Sequence, residues 1–209
     1  EEIGAGAFGY PVDVSKPESA QGLVEHVVEQ AGGVDILVNS AGVFGMKALI
    51  EIDAEEFDRV FAVNTRGLLF MMQAVAKQML EQGRGGTIVN IASGAGRRAS
   101  PGAAVYSASK AAAISLTQAA QELVKEGIRV NAIAPGAVST PMWDYVEQRF
   151  SDVLGMEPGS AEAVQVSLTP LGRMARADEF VGAAIFLACD ESSYMLGQTL
   201  NIDGGMFLS

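Results

Sequence analysis

The residues in this sequence that could carry chemistry are Tyr106 and Lys110, in the segment Tyr106-Ser-Ala-Ser-Lys110. A spacing of four places both side chains on one face of a helix, within reach of each other. A phenol with a pKa of about 10 is a poor base at neutral pH, and a neighbouring ammonium group lowers that pKa by stabilising the phenolate. The pair therefore predicts a proton-transfer site, although an exposed helical contact would have the same spacing.

Small and polar residues follow three of the predicted strands, and they indicate where such a site would lie. Ser93 comes directly after an apolar run and thirteen residues before Tyr106. Asn39-Ser-Ala-Gly42 ends a second strand, and Pro135-Gly136 ends a third. Each could be an ordinary turn. In open parallel sheets, however, ligands bind at the carboxyl ends of the strands, so the three ends together predict one crevice beside Tyr106.

Short runs rich in β-branched residues alternate with longer helical patterns, which is typical of βαβ units and a parallel sheet. Ser15 and Asp53, each followed by a glutamate three residues later, have the spacing of capping boxes that start helices. Strands are predicted near Gly9–Val12 and at Val34–Asn39, Thr87–Ile91, Ile128–Ala134 and Thr199–Ile202. Helices are predicted from Ser15, from Asp53 to about Gln82, over Val105–Glu126 and from Asp178 to Cys189. The sequence thus predicts one α/β domain over residues 1–209, with residues 140–168 mostly loop-like and Val34–Asn39 buried on both faces.

Composition excludes several classes of function. The formal net charge is −11, and Arg97–Arg98 is the nearest approach to a basic cluster, which disfavours nucleic acid and anionic membranes as partners. No apolar stretch reaches the roughly 20 residues that a membrane-spanning helix needs. With one cysteine and one histidine, no metal site is predicted. We expect a cytoplasmic protein.

The segment Gly4-Ala-Gly6-Ala-Phe-Gly9 matches the G-x-G-x-x-G pattern of dinucleotide-binding loops. That pattern works only between a strand and a helix, where backbone amides and the helix N-terminus meet a pyrophosphate. Only three residues precede this copy, and the residues after it continue as a predicted strand. We interpret it as a connecting loop and not as a nucleotide site.

Two predicted helices are apolar around most of their circumference, at Leu68–Met72 and Ala111–Ile114. A helix on the outside of a sheet normally keeps one polar face in water. The alanines of the second run are explained by helix propensity alone, whereas the first run is not. We therefore expect a homo-oligomer, a dimer or a homotetramer, in which a second subunit covers these helices.

As an ordered set, the motifs resemble the short-chain dehydrogenase/reductase family over essentially the whole sequence. The matching residues are Val12-Asp13-Val14, Asp35–Gly42, Asn64, Ser93, Tyr106 with Lys110, Arg129-Val-Asn131, Pro135-Gly136 and Asp203-Gly204-Gly205. The resemblance implies a Rossmann-like, doubly wound parallel sheet and a nicotinamide cofactor, NAD, with NADP not excluded.

The resemblance also implies roles for individual residues. Tyr106 would be the general acid/base, Ser93 would hold the reacting oxygen, and Lys110 would lower the pKa of Tyr106 and bind the nicotinamide ribose. Asn64, in a helix kink, would position a water that relays the proton. In this family the adenine lies against Asp13 and Val14, the adenosine ribose and pyrophosphate against Asn39, Ala41 and Gly42, and the carboxamide against Pro135, Gly136, Val138 and Thr140.

The sequence departs from the family pattern in two places. Ser40 stands where the family usually has a second asparagine, which implies a modest loss of local hydrogen bonding. The family also opens with a strand, a glycine-rich turn, a helix, a second strand and a second helix, roughly 45 residues that have no counterpart here. The first of those strands would lie inside the sheet, so we expect the 209 residues to be an excerpt of a longer chain that lacks its first two strands and helices.

The stretch between Thr140 and Leu168 corresponds to the family's substrate lid. This lid and the segments around Ser93 look closest to bacterial polyol dehydrogenases, which implies oxidation of sorbitol or a related sugar alcohol to a ketose. The substrate would then contact Ser93, Gly94, Tyr106 and Trp143. Gly94 is a departure, because the polyol enzymes have a larger polar residue beside the catalytic serine.

Two alternatives remain open at the level of sequence. One is an NADPH-dependent reductase of 3-oxoacyl thioesters on an acyl carrier protein, which would need a basic surface for its acidic partner; Arg97–Arg98 provides little of one. The other is a non-catalytic protein that keeps the fold for binding, against which the intact Ser93, Tyr106 and Lys110 argue.

Overall fold

A central sheet of four parallel strands organises the computed structural model, which describes residues 6–207. Its strands lie in the order β1 (Ile36–Asn39), β2 (Gly86–Ile91), β3 (Ile128–Pro135) and β6 (Thr199–Ile202). Two short strands, β4 (Val138–Ser139) and β5 (Ala175–Arg176), form a separate parallel pair. The helices are α1 (Pro17–Ala31), α2 (Ala54–Phe61), α3 (Leu68–Gln82), α4 (Ala104–Ala119), α5 (Pro141–Leu154), α6 (Ser160–Leu168) and α7 (Val181–Ala188). The predicted α/β class with a parallel sheet is confirmed.

The two faces of the sheet are covered by different helices because side chains along each strand alternate between faces. On one face, Ile88 and Val130 pack with α1 and α3 in a cluster that includes Met71, Met79 and Val75. On the other, Val89 and Ile133 pack against Leu187 of α7. The central strands β2 and β3 are thus buried on both sides, and the carboxyl ends of these strands are held rigidly.

The first predicted strand is wrong. Residues 7–13 have no regular secondary structure, and the rings of Phe8 and Tyr10 instead contact His26 of α1, with centroid distances of 5.6 and 4.7 Å. A strand needs a hydrogen-bonded neighbour, and within residues 6–207 none pairs with this segment. The Gly4–Gly9 motif begins outside the described residues, and its described part leads into this irregular segment.

Burial of the second predicted strand on both faces is also wrong. β1 pairs in parallel with β2, but Ile36 and Val38 are 51% and 46% exposed. Their side chains share a face with Val89, which α7 covers farther along the sheet. Within residues 6–207, α7 reaches β2 and β3 but makes no comparable contact with β1.

The two predicted helix starts have different outcomes. Asp53 caps α2 as expected, its carboxylate accepting a hydrogen bond of 2.8 Å from the backbone N–H of Glu56. Ser15 does not cap α1, which begins at Pro17 after Lys16; its hydroxyl donates instead to the carboxylate of Asp13. The Ser15 hydroxyl therefore points toward Asp13 and lies one residue before the N-cap position, so the capping box does not form.

The long helix predicted from Asp53 to Gln82 is interrupted by a π-helical turn at Ala62–Gly67. Wider π turns inside helices are frequent at functional sites. Gly67 sits at the end of this turn, where an added Cβ would lie 2.5 Å from the carbonyl oxygen of Val14. Only glycine lets the two backbones approach so closely, and the turn carries Asn64 toward the sheet edge.

Residues 140–168, predicted as mostly loop, form the two helices α5 and α6. Pro141 lies in the first turn of α5, and Gly155 ends that helix in the left-handed conformation, with φ of 65°. These are ordinary helix boundaries. This stretch is thus helical, and its two helices pack on each other and cover the carboxyl end of the sheet.

Candidate active site

A cavity of about 430 Å³ opens at the carboxyl ends of β2 and β3, beneath α5 and α6. Ten of the residues singled out from the sequence line it: Gly42, Ser93, Gly94, Tyr106, Lys110, Pro135, Gly136, Val138, Thr140 and Trp143. The ends of separate strands and the first turns of α4 therefore meet in one crevice, where an open parallel sheet places its ligand.

The side chains of Ser93 and Tyr106 are neighbours inside this cavity, and the serine hydroxyl lies close enough to the phenol to lower its pKa. Ser93 follows β2 and starts a short 3₁₀ turn, where its Oγ accepts a hydrogen bond from the Ala95 amide. Tyr106 projects from the first turn of α4, and its ring packs against Phe44 with the centroids 4.9 Å apart. The phenol oxygen is thus held beside the serine hydroxyl, so that one substrate oxygen could contact both.

Lys110 is buried, 5% exposed, one helical turn beyond Tyr106. Its Nζ donates a hydrogen bond of 2.9 Å to the carbonyl oxygen of Ile91 and lies 5.9 Å from the Tyr106 ring centroid. Burial disfavours the charged ammonium and lowers the pKa of Lys110 to about 8.

The pKa of Tyr106 lies above its ordinary value, opposite to the direction expected from the sequence. Burial of the phenol raises this pKa, and the nearby Ser93 hydroxyl opposes the rise without overcoming it. In the protein alone, Lys110 does not offset the rise; its Nζ donates a hydrogen bond to the Ile91 carbonyl. A phenolate at this position needs a further positive charge within the cavity.

Asn64 lies behind the cavity, fully buried in the π-helical turn. Its amide nitrogen donates to the Val43 carbonyl and to Ser109 Oγ, and its Oδ1 accepts from the Val43 amide. A Cβ added to Gly42 would lie 3.4 Å from Lys110 Nζ and 3.5 Å from Asn64 Oδ1. Gly42 therefore lies beside both the lysine and the asparagine, and a Cβ there would make ordinary van der Waals contact with them.

The lining fits the nicotinamide half of a dinucleotide. Thr140, at the start of α5, makes no capping hydrogen bond with its side chain and lines the cavity, so its hydroxyl can serve a carboxamide. An added Cβ at Gly136 would lie 2.8 Å from Asp203 Cα, so the loop after β3 can run flat along the cavity only with glycine there. Lys110 has ammonium hydrogens beyond the one bound by Ile91, which suit the hydroxyls of a ribose.

Four residues assigned to the adenosine half lie outside this cavity. Asn39 donates its amide to Asn90 Oδ1, and Asp13 is exposed, bonded to Ser15 and Lys16. Val14 packs at the edge of the core, and Ala41 is exposed. The structure thus brings together the residues of the nicotinamide side and does not bring these four to them.

Several aromatic residues of the lining were not expected from the sequence, among them Phe44, Phe180 and Phe207. Phe207 reaches the cavity because the chain reverses after β6 at Gly204 and Gly205, with φ of 65° and 89°. The Asp-Gly-Gly sequence signalled such a turn; which wall the next residues would form could not be read from it.

Residues 6–207 also bear on metal binding and on membrane insertion. No group of three or more histidine, cysteine, aspartate or glutamate side chains in this range could hold a metal ion. No helix in the same range is both long and apolar enough to cross a membrane.

Residues 1–207 match a family model described as enoyl-(acyl carrier protein) reductase. A sorbitol dehydrogenase of Cereibacter sphaeroides is 46% identical over 100% of this chain and 82% of its own length. A galactitol 2-dehydrogenase of Agrobacterium fabrum is 45% identical over 99% of this chain and 81% of its own. An NAD⁺-bound xylitol dehydrogenase structure superimposes with a TM-score of 0.88 at 36% identity, covering 94% of this chain and 78% of that one.

These similarities extend over nearly all of the chain, and their names agree on oxidation and reduction at a carbon–oxygen or carbon–carbon bond. They confirm the family resemblance drawn from the motifs and the Rossmann-like fold expected from it. The chain belongs to the short-chain dehydrogenase/reductase family and is a nicotinamide-dependent alcohol dehydrogenase or reductase.

Proposed function

We propose that this protein uses NAD⁺ to oxidise a secondary hydroxyl of a polyol, with sorbitol and galactitol as the first candidates and C2 as the reacting carbon. The observation that carries the proposal is the placement of the Ser93 and Tyr106 side chains next to each other and beside Lys110, inside a cavity sized for a small molecule. Relatives named for sorbitol and for galactitol oxidation at C2 support the substrate, and the NAD⁺-bound xylitol enzyme supports NAD.

Each residue of the pair has a distinct task in this proposal. Ser93 donates to the substrate oxygen and fixes it against Tyr106, whose phenol oxygen removes the hydroxyl proton as the alcohol becomes a ketone. Nicotinamide, when bound, accepts the hydride of that carbon. Lys110 holds the ribose, and Asn64 holds the β1-end backbone at Val43 so that a water near Lys110 can carry the proton outward.

The phenol of Tyr106 also needs positive charge nearby to lower its pKa. Burial alone keeps the pKa of Tyr106 above its ordinary value, and a positively charged ring in the cavity opposes that effect. We therefore propose that cofactor binding and Lys110 together bring the phenol into its working range. The cofactor contacts proposed on this side are Gly42, Pro135, Gly136, Val138 and Thr140, with Asp13, Val14, Asn39 and Ala41 on the adenosine side.

We further propose a single catalytic domain with residues 140–168 as its lid, acting as a homotetramer in the cytoplasm. The exposed Leu69 of α3, and Phe57 of α2 stacked on Phe61 at 4.4 Å, offer apolar surface for a second subunit. Light scattering of the purified protein should give four times the chain mass, and a monomer at micromolar concentration would contradict the tetramer.

A reductase of 3-oxoacyl thioesters on a carrier protein is the second candidate, because a Thermotoga maritima relative named for that activity is 38% identical over 95% of this chain. An acidic carrier protein binds best to a basic surface, whereas this chain has a net charge of −11. We rank it below polyol oxidation for that reason.

A substrate screen separates these candidates. The protein is incubated with NAD⁺ or NADP⁺ and sorbitol, galactitol or mannitol, and in parallel with NADH or NADPH and a 3-oxoacyl thioester, while absorbance of the reduced nicotinamide is followed. We expect reduction of NAD⁺ with sorbitol or galactitol. Brisk thioester reduction, with no polyol oxidised, would overturn the proposal.

Changing Ser93 to alanine should lower kcat about 100-fold, because the reacting oxygen loses one fixed hydrogen-bond donor. Ser93→Thr keeps a hydroxyl and is expected to retain more of the activity than Ser93→Ala. Steady-state kinetics on the preferred polyol measure both variants. Equal activity of Ser93→Ala and wild type would remove Ser93 from the mechanism.

A further inference from the structure

Gly94 is a glycine for a reason outside its own backbone. Its φ does not lie in the left-handed region, so other residues could adopt its conformation. A Cβ built at Gly94, however, would lie 2.6 and 3.0 Å from two ring carbons of Phe207. The ring of Phe207 therefore occupies the space of a side chain at position 94, directly after Ser93.

Asp203 holds Phe207 in this place. Asp203 is buried, and its two carboxylate oxygens accept hydrogen bonds of 3.0 Å from the backbone amides of Gly205 and Phe207. The Asn201 amide also donates to the Phe207 carbonyl, at 3.4 Å. Both backbone groups of Phe207 are thus bonded, which places this residue at the wall of the cavity that its ring lines.

The ring gives one part of the cavity an apolar character. A substrate oxygen between Ser93 and Tyr106 brings its carbon close to Gly94, so a substituent of that carbon on this side meets aromatic carbon. A hydroxyl there would lose its water without gaining a partner from the ring, at a cost, whereas a methyl group is favoured. A side chain at position 94 could have supplied that partner; glycine does not.

The lid helices α5 and α6 contribute polar groups near the cavity. The indole Nε1 of Trp143, on α5, is buried and has no hydrogen-bond partner in the structure. This nitrogen has no accessible surface in the cavity, so it does not serve a ligand there. On the lid, Gln165 of α6 is a polar residue of the lining, and a substrate hydroxyl that leaves water needs such a partner. The hydroxylated arm would therefore lie toward α6 and the short arm toward Phe207.

Building on the proposed polyol oxidation, we propose that Phe207 and Gly94 form the specificity-determining wall beside the reacting carbon. This wall selects alcohols whose short arm is a methyl group rather than a hydroxymethyl group. Small vicinal diols that end in a methyl group, and polyols that lack a terminal hydroxyl, are then better substrates than the fully hydroxylated sugar alcohols. Asp203 is the positioning residue that keeps the wall in place.

The test compares sorbitol with 1-deoxysorbitol, which differ by the one hydroxyl that would face Phe207. The ratio of kcat/KM values is measured with NAD⁺, and the products are identified by NMR to establish oxidation at C2. For the wild type we expect roughly a tenfold or larger preference for 1-deoxysorbitol. Phe207→Ala should bring the ratio close to one, and Gly94→Ser, which displaces the ring and adds a hydroxyl, should favour sorbitol.

Phe186→Ala is the matched control, because this ring lies on α7 and does not line the cavity; its ratio should equal that of the wild type. Thermal melts show which variants are folded, and Phe207→Ala alone decides the question if Gly94→Ser does not fold. A wild type that oxidises both substrates without preferring 1-deoxysorbitol, or a Phe207→Ala variant that keeps the wild-type ratio, overturns the wall but leaves polyol oxidation standing. If neither substrate is oxidised, both proposals fail.

Discussion

Replacement of Tyr106 by phenylalanine is expected to lower kcat by about three orders of magnitude, within the range known for loss of a general acid/base. The variant removes the phenol oxygen beside Ser93 and keeps the ring that packs on Phe44. Binding of NADH, followed by fluorescence titration, and the melting temperature should change little. Steady-state kinetics with the preferred polyol measure the loss.

Tyr145→Phe is the control for this variant. Tyr145 is also close to Phe44, with ring centroids 6.4 Å apart, but it is 47% exposed and does not line the cavity. Its activity should remain that of the wild type. Turnover by Tyr106→Phe within a factor of ten of the wild type would show that the proton leaves by another route.

Changing Lys110 to methionine should abolish most activity and at the same time raise the stability of the protein. Burial lowers the pKa of Lys110 from its ordinary value of 10.5 to about 8. This shift lowers the free energy of unfolding by about 3 kcal/mol at neutral pH. Losing the hydrogen bond to the Ile91 carbonyl costs about 1 kcal/mol. The net gain should raise Tm by several degrees at pH 7, as roughly 2–4 °C per kcal/mol is expected for a chain of this size.

The pH dependence of this gain follows from the direction of the shift. Between pH 8 and 10.5 the unfolded chain binds the Lys110 proton and the folded chain has released it, so the stability of the wild type rises with pH through this window. The advantage of Lys110→Met is therefore fully present below about pH 8 and shrinks as the pH approaches 10.5. Melts at pH 7, 8, 9 and 10 measure it.

Lys77→Met provides the matched comparison, because Lys77 is exposed on α3; neither its activity nor its Tm should change appreciably. Loss of activity in Lys110→Met without any gain in Tm at pH 7 would show that the buried ammonium does not destabilise the folded protein. Retained activity would show that Lys110 is dispensable for ribose binding.

Much of the fold could be predicted from the sequence because its strands carry their own signal. β6 has the predicted bounds, and β2 and β3 each extend one residue beyond theirs, since these strands are apolar, short and flanked by turn residues. The segment at Gly9–Val12 has the same local pattern without forming a strand, because pairing depends on a neighbour that lies elsewhere in the chain. The helices α5 and α6 were missed because each has a single buried residue, Val146 and Ala161, and so shows little apolar periodicity.

The candidate site divides in the same way. Ser93, Tyr106 and Lys110 could be placed in one crevice because the carboxyl ends of parallel strands meet at one edge. The direction of the Tyr106 pKa could not be predicted, since it depends on where the Lys110 ammonium points and how deeply the phenol is buried. Phe207 could not be assigned either, because its position depends on Asp203 and on the space left at Gly94.

The most direct test of the central claim is transfer of deuterium from sorbitol or galactitol labelled at C2. After incubation with the wild-type protein and NAD⁺, the reduced cofactor and the sugar product are analysed by mass spectrometry. We predict one deuterium in the reduced cofactor, a ketose lacking it, and neither product with Tyr106→Phe over the same time. Reduced cofactor without deuterium, or no reduced cofactor with either polyol, would contradict oxidation of a polyol at C2 by this site.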